Sequence, residues 1–113
     1  MSQITTHVLD TSLGRPAAGV PVTLEIQTLG GAWKEISRGA TDADGRLRHL
    51  LAPDALEKAT YRLTFDTKAY FKAHHKGGFY PQVSVVFEIH NAAEHYHVPL
   101  LLSPYGYSTY RGS

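Results

Sequence analysis

From Glu94 to Ser113 the chain reads EHYHVPLLLSPYGYSTYRGS, and this stretch constrains the fold more than any other. With a period of two, Tyr96, Val98, Leu100 and Leu102 share one face of a strand, while His95, His97, Pro99 and Leu101 share the other. The apolar row belongs in a core, so the histidines point away from it. Ser103 and Pro104 break the run, and Tyr105 to Tyr110 reads as a second extended segment. A strand bearing His97 therefore leads to a hairpin partner that ends in Tyr-Arg-Gly-Ser. Chain ends fray in most domains unless a sheet ties them down, and this one has the pattern of an end that is tied in.

The same period recurs upstream. Ile4, Thr6 and Val8 alternate with Thr5, His7 and Leu9, which puts His7 beside the core-facing set and not within it. Val20, Val22, Leu24 and Ile26 mark another strand, with Pro21 near its start, where a missing N–H is tolerated. Trp33 to Arg38 is more polar and suits an edge. Tyr61, Leu63 and Phe65 form a further strand, and Val83, Val85, Phe87 and Ile89 give the strongest alternation of all. One short helix is expected through Phe71 to His75, with Asp66 or Thr67 as N-cap and Gly77-Gly78 closing it. Seven or eight short strands with one small helix indicate an all-β sandwich.

A chain of 113 residues forms one domain, residues 1–113, without repeats, linkers or low-complexity segments. With 42% apolar residues, 19% charged residues and a formal net charge of +1, neither a nucleic-acid footprint nor a disordered polyion is indicated. No apolar run approaches the ~18 residues of a spanning helix, and the N-terminal residues lack a signal-peptide pattern, so a cytoplasmic protein with no membrane partner is expected. The absence of cysteine removes disulfides, thiolate metal sites and a cysteine nucleophile.

Chemistry must then come from His, Arg, Tyr, Ser or carboxylates. His7 and His97 stand out among the seven histidines because each lies on a strand face opposite an apolar row. His49, His74, His75 and His90 lack such a setting and read as solvated or structural. Thr41-Asp42-Ala43-Asp44-Gly45-Arg46 begins like a calcium loop, but the next glutamate, Glu57, misses the required spacing, and a tight turn with Gly45 at positive φ is the better reading. His95 and His97 project to one side and with His7 could form a three-imidazole metal site, but no carboxylate is in view to orient them. A serine nucleophile, Ser113 or Ser108 paired with His97, lacks a nucleophile elbow and an orienting Asp.

ITTHVLDTSLGRPA, TDADGR, YRLTFDTKAYF and the whole tail resemble the transthyretin-related 5-hydroxyisourate hydrolases of purine catabolism, nearly end to end. The resemblance implies a transthyretin-like (prealbumin-like) sandwich of two four-stranded sheets, with the helix between the fifth and sixth strands. It also implies a homotetramer with its sites between dimers, acting without metal or cofactor on a small-molecule substrate. The implied reaction opens the six-membered ring of 5-hydroxyisourate at an acyl carbon, giving 2-oxo-4-hydroxy-4-carboxy-5-ureidoimidazoline during urate degradation. His7, Arg46 and His97 match the family's catalytic set, and Tyr110, Arg111, Gly112 and Ser113 match its substrate-binding end. A neutral imidazole of His7 or His97 suits the general base, and a guanidinium at Arg46 suits the developing oxyanion. Which histidine is the base stays open at this level. The competing reading is a transthyretin-like carrier of a small aromatic ligand between dimers, a class that does not retain this set of residues together.

Overall fold

The computed structural model describes residues 2–113. Its elements are β1 (Ile4–Asp10), β2 (Arg15–Pro16), β3 (Pro21–Gln27), β4 (Trp33–Ala40), β5 (Arg46–Leu47), β6 (Thr60–Phe65), α1 (Thr67–Ala73), β7 (Val83–Glu88), β8 (Tyr96–Ser103) and β9 (Gly106–Thr109). One sheet runs β4-β3-β6-β7, antiparallel throughout. The other runs β2-β1-β8-β9, and the two-residue β5 pairs with β1 as well. This is the all-β sandwich that the alternations predict, in the transthyretin-like form that the resemblance implies. If the short arm β2 is set aside, the helix falls between the fifth and sixth strands.

The two sheets bury the rows that the period of two picks out. Ile4, Val8, Tyr96, Val98, Leu100 and Leu102 face Val22, Leu24, Leu63, Phe65 and Val83 across the core. Full burial of side chains of this size contributes about 1.5–3 kcal/mol each. Tyr70 and Phe71 from α1 join the same core. The Tyr70 hydroxyl donates to Asp10 Oδ2 at 2.7 Å, tying the helix to the end of β1. Asp10 is itself buried, and hydrogen bonds from the Ser12 and Tyr70 hydroxyls and two backbone amides outweigh the cost of burying it, holding its carboxyl below the usual range.

One local expectation is adjusted. The helix is capped at its start by Asp66, whose carboxylate accepts from the Ala69 amide at 3.0 Å. At its end, however, the left-handed residue is His75 (φ 56°) and not a glycine. His75 N donates to Lys72 O and Lys76 N to Phe71 O, a paired closure that completes the helix before Gly77 is reached. Gly78 serves packing instead, since a Cβ there would come within 2.7 Å of the Phe71 ring. The strand with the cleanest alternation, β7, is an edge strand, and its Val86 is 57% exposed.

For function the decisive pairing is β1 with β8. It is parallel, seven residue pairs long, and joins segments separated by most of the chain. It sets Thr5 opposite His97 and His7 opposite Pro99. On the other side of β1, β5 sets Arg46 opposite His7. One central strand therefore carries its outward side chains between a guanidinium and an imidazole.

Candidate active site

Arg46 owes its place to the turn that precedes it. Asp42 Oδ1 accepts from the backbone amides of Asp44 at 2.9 Å and Arg46 at 3.0 Å, which closes the loop on itself. Those bonds, with Arg48 and Arg46 nearby, hold the Asp42 carboxyl below its ordinary range. Gly45 at φ +74° runs so close to β1 that a Cβ would collide with the Val8 carbonyl, and the Gly45 carbonyl accepts from Val8 N at 2.8 Å. The Asp-Gly turn is thus a brace that presses β5 onto β1, as the sequence suggests when it is read as a turn.

His7 Nε2 lies 2.9 Å from the Asp44 carbonyl. A carbonyl only accepts, so Nε2 carries the proton and Nδ1 of the neutral ring keeps its lone pair. His97 is held differently, with Nδ1 2.8 Å from the Thr5 hydroxyl. The same hydroxyl lies 2.9 Å from His95 Nε2, and the two rings stack with centroids 6.3 Å apart. Among the described residues no buried side-chain nitrogen or oxygen lacks a partner. His97 Nε2 has no hydrogen bond there, so it must be open to solvent. Burial is the largest influence on His97 and lowers its pKa, and His95, Arg46 and His7 lower it further against an opposing hydrogen bond with the Thr5 backbone. Since the ordinary value is 6.5, the ring is neutral at pH 7.

Thr5, Thr6, Arg46, Arg48, His95, His97 and Ser113 line a cleft of about 120 Å³ over this row. Arg48 faces Asp42 at 3.6 Å, whereas Arg46 has no carboxylate partner among the described residues. Its charge is available to a ligand.

The tail reaches this cleft through Gly112. The Gly112 amide donates to the His97 carbonyl at 2.8 Å, and a Cβ on Gly112 would meet His97 Cδ2 at 2.6 Å and Pro99 Cγ at 3.1 Å. Only a residue without a side chain lets the backbone cross the His97 ring, and that crossing delivers Ser113 to the cleft. Upstream, the Thr109 hydroxyl donates to the Pro99 carbonyl at 2.7 Å and fastens β9 to β8.

The seven residues singled out in the sequence therefore divide. Arg46, His97 and Ser113 line the cleft, His7 stands beside Arg46 in the same row, and Gly112 shapes the approach. Tyr110 and Arg111 face elsewhere in this chain. They line an apolar cavity of about 310 Å³ with Val85, Phe87, Tyr96 and Val98, where the sandwich opens between β7 and β9. Arg111 lies 4.4 Å over the Tyr96 ring and 3.5 Å from Glu94. Thr5 and Arg48 escape the sequence reading. Thr5 shares a strand face with His7, but only the parallel pairing with β8 gives that a meaning. His95 is visible in sequence as a metal candidate, yet His95 Nε2 and His97 Nδ1 are both turned onto Thr5. Among the described residues no three His, Asp or Glu side chains are placed to hold a metal ion.

Comparison with known proteins adds to this geometry. The profile of the HIUase/Transthyretin family matches residues 4–112. The 5-hydroxyisourate hydrolase of Mus musculus is 46% identical over 113 residues, covering 99% of this chain and 96% of the mouse protein. The 5-hydroxyisourate hydrolase of Salmonella typhimurium is 46% identical over 110 residues, covering 97% of this chain and 80% of that protein. Sea bream transthyretin, solved in complex with thyroxine, superimposes with a TM-score of 0.93 at 34% identity, covering 98% of this chain and 95% of its own.

Proposed function

Because the chain belongs to the HIUase/Transthyretin family, we propose that its cleft hydrolyses 5-hydroxyisourate, the activity for which the mouse and Salmonella relatives are named. The observation that carries this reading is a neutral His97 whose Nδ1 is engaged by Thr5, beside an Arg46 guanidinium with no carboxylate partner among the described residues. A water attacking the acyl carbon must lose a proton, and His97 Nε2 is the open lone pair that takes it; general-base assistance of this kind contributes about 10²–10⁴-fold. Negative charge gathers on the carbonyl oxygen, and Arg46 answers it with a planar fork of donors already in place. The departing ring nitrogen takes a proton back from His97. Ser113 closes one side of the cleft and positions the substrate.

At about 120 Å³ the cleft is smaller than the ~300 Å³ at which ligand sites begin, so a second subunit completes it. Strands β7 and β9 offer free outer edges on the same side of the sandwich, suited to strand-to-strand pairing between copies. A homotetramer follows, with pairs of chains joined through those edges and the Arg46–His97 faces meeting between pairs. Tyr110 and Arg111 would then act from the edge interface. Light scattering should give four chains per particle, and a stable monomer would remove this part of the reading.

The likeness to a thyroxine-bound transthyretin supports a second reading, a carrier of a small aromatic ligand. Adding the protein to freshly generated 5-hydroxyisourate and following its ultraviolet decay separates the two. Accelerated decay that disappears in Arg46→Gln is expected. Unchanged decay together with saturable thyroxine binding would replace the hydrolase with the carrier.

A further inference from the structure

We propose that Thr5 and His95 are positioning residues that form a proton relay with His97, a proposal that rests on the hydrolase reading above. The Thr5 hydroxyl is the hub. It is 3% exposed and lies 2.9 Å from His95 Nε2 and 2.8 Å from His97 Nδ1. A hydroxyl has one proton to give, so with both rings neutral it donates to one and accepts from the other. When Thr5 donates to His95, His97 carries its proton on Nδ1 and its Nε2 is a base. When Thr5 donates to His97, the proton of His97 is on Nε2 and the ring is an acid toward the cleft. One rotation of a buried hydroxyl, with matching tautomer changes in both rings, therefore switches His97 between its two tasks.

The relay also moves charge. After His97 Nε2 takes the proton of the attacking water, the ring is a cation facing Arg46 and Arg48 from the β5 side, His7 from β1 and His95 from β8. Its Nδ1 proton can pass to Thr5 Oγ1 while the Thr5 proton passes to His95 Nε2. Protons are conserved, His97 becomes neutral with its proton on Nε2, and the charge rests on His95, which is exposed to water. Reversal of the same two transfers returns a proton through His97 when the ring nitrogen departs. Desolvation and three cationic or titratable neighbours disfavour a charged His97, and this path relieves that cost.

The test uses the intact protein and freshly generated 5-hydroxyisourate. Thr5→Val keeps the shape and removes the hydroxyl; kcat should fall about 10-fold or more, toward the lower end of acid–base effects, with KM within about twofold. Thr5→Ser should recover most of that loss. His95→Ala, at an exposed position where folding is not in question, should lower kcat by a similar factor. The acid limb of kcat/KM should move to higher pH in His95→Ala, which loses a repelling neighbour. A purely structural role for His95 would leave that limb in place. In the ligand-free protein, ring ¹⁵N shifts should show protonated fractions of His95 Nε2 and His97 Nδ1 that sum to one; both nitrogens protonated or both bare overturns the bridge. A wild type that leaves 5-hydroxyisourate untouched sinks the function itself, whereas an active wild type matched by an equally active Thr5→Val sinks the relay alone.

Discussion

The outward faces of the two sheets are built from the same kinds of side chain and differ in how those side chains are satisfied. On the β3–β6 face, Arg62 bonds Glu25 at 2.8 Å across the strands and lies 4.4 Å over the Trp33 ring. Along β4, Arg38 bonds Glu35, and between β6 and β7 the Thr64 and Ser84 hydroxyls meet at 3.3 Å. Arg62, Glu25, Arg38 and Glu35 are each matched by a partner within the chain. On the β1–β8 face, Arg46 has no carboxylate partner among the described residues, and His97 Nε2 has no partner beside it. Polar groups that stabilise a fold are satisfied by the fold, whereas those held rigid and left open are available to a substrate.

The largest expected effect breaks the open face. Arg46→Gln and His97→Asn should each lower kcat/KM by about 100-fold or more, the scale set by oxyanion and acid–base groups. Neither side chain carries a core contact, so melting temperatures should stay within a few degrees of wild type. Turnover near wild type in both variants would mean that the open groups are incidental.

A smaller loss should follow from disturbing the tail. Gly112→Ala pushes a methyl group to within 2.6 Å of the His97 ring, and residues appended after Ser113 fill the side of the cleft that Ser113 lines. Both should cost about 10-fold in turnover while leaving the sheets intact, because displacements near 1 Å suffice to misplace reacting groups. An N-terminal tag should be tolerated, because no residue before Thr5 lines the cleft among the described residues. Equal activity of chains tagged at either end, at equal oligomer content, would reduce Tyr-Arg-Gly-Ser to a structural edge.

How much of this was legible beforehand follows the range of the interactions involved. Alternation is local, so the rows of Ile4 and Val8, of Val22 and Leu24, and of Tyr96 to Leu102 could be read directly and proved to be core. The Asp42–Arg46 turn is local too, and its hydrogen bonds are those its residues suggest. Thr5 was silent because its role depends on a parallel partner more than 90 residues away, His97. Tyr110 and Arg111 read as a unit with Gly112 and Ser113, yet they lie past the end of β9, and the chain reaches the cleft only where Gly112 bridges to His97. In this chain the first two face the opening between the sheets. The helix end was misplaced because glycine is the usual left-handed residue and here a histidine takes that position.

A third expectation sharpens the comparison through pH. His97 has its pKa lowered chiefly by burial, so at pH 6.5 more than half of it is still neutral, and kcat/KM should fall by less than about twofold between pH 7.5 and 6.5. For stability the sign is the same. A histidine with a lowered folded pKa contributes fully above its unfolded value of 6.5, and that contribution is lost as pH falls through the folded value. Denaturant midpoints measured from pH 7.5 to 5 should decline in wild type more than in His97→Asn. Parallel declines would show that the open face has no part in the pH dependence.

The smallest effect on turnover is expected from the satisfied face, and it is the control on which the comparison rests. Arg62 Nε and Nη2 both reach Glu25 Oε1 at 2.8 Å, and the side chains of Arg62 and Glu25 are only 29% and 19% exposed. Exposed pairs contribute about 0.2–1 kcal/mol, and this one should exceed that range modestly because water is partly excluded and the guanidinium also lies on Trp33. Arg62→Gln leaves a half-hidden carboxylate with a weaker donor, so a loss of about 1–2 kcal/mol is expected, seen as a lower denaturant midpoint at an unchanged m-value. A double-mutant cycle with Glu25→Gln should return part of it, since the orphaned charge is then removed. The face is remote from the cleft and its groups are already matched, so kcat/KM should remain within about twofold of wild type in all three variants at temperatures where they are folded. A fall in turnover without a fall in stability would mean that the paired face also meets the substrate or couples to it. Satisfaction of a charge by its own chain would then cease to distinguish structural from functional residues in this protein.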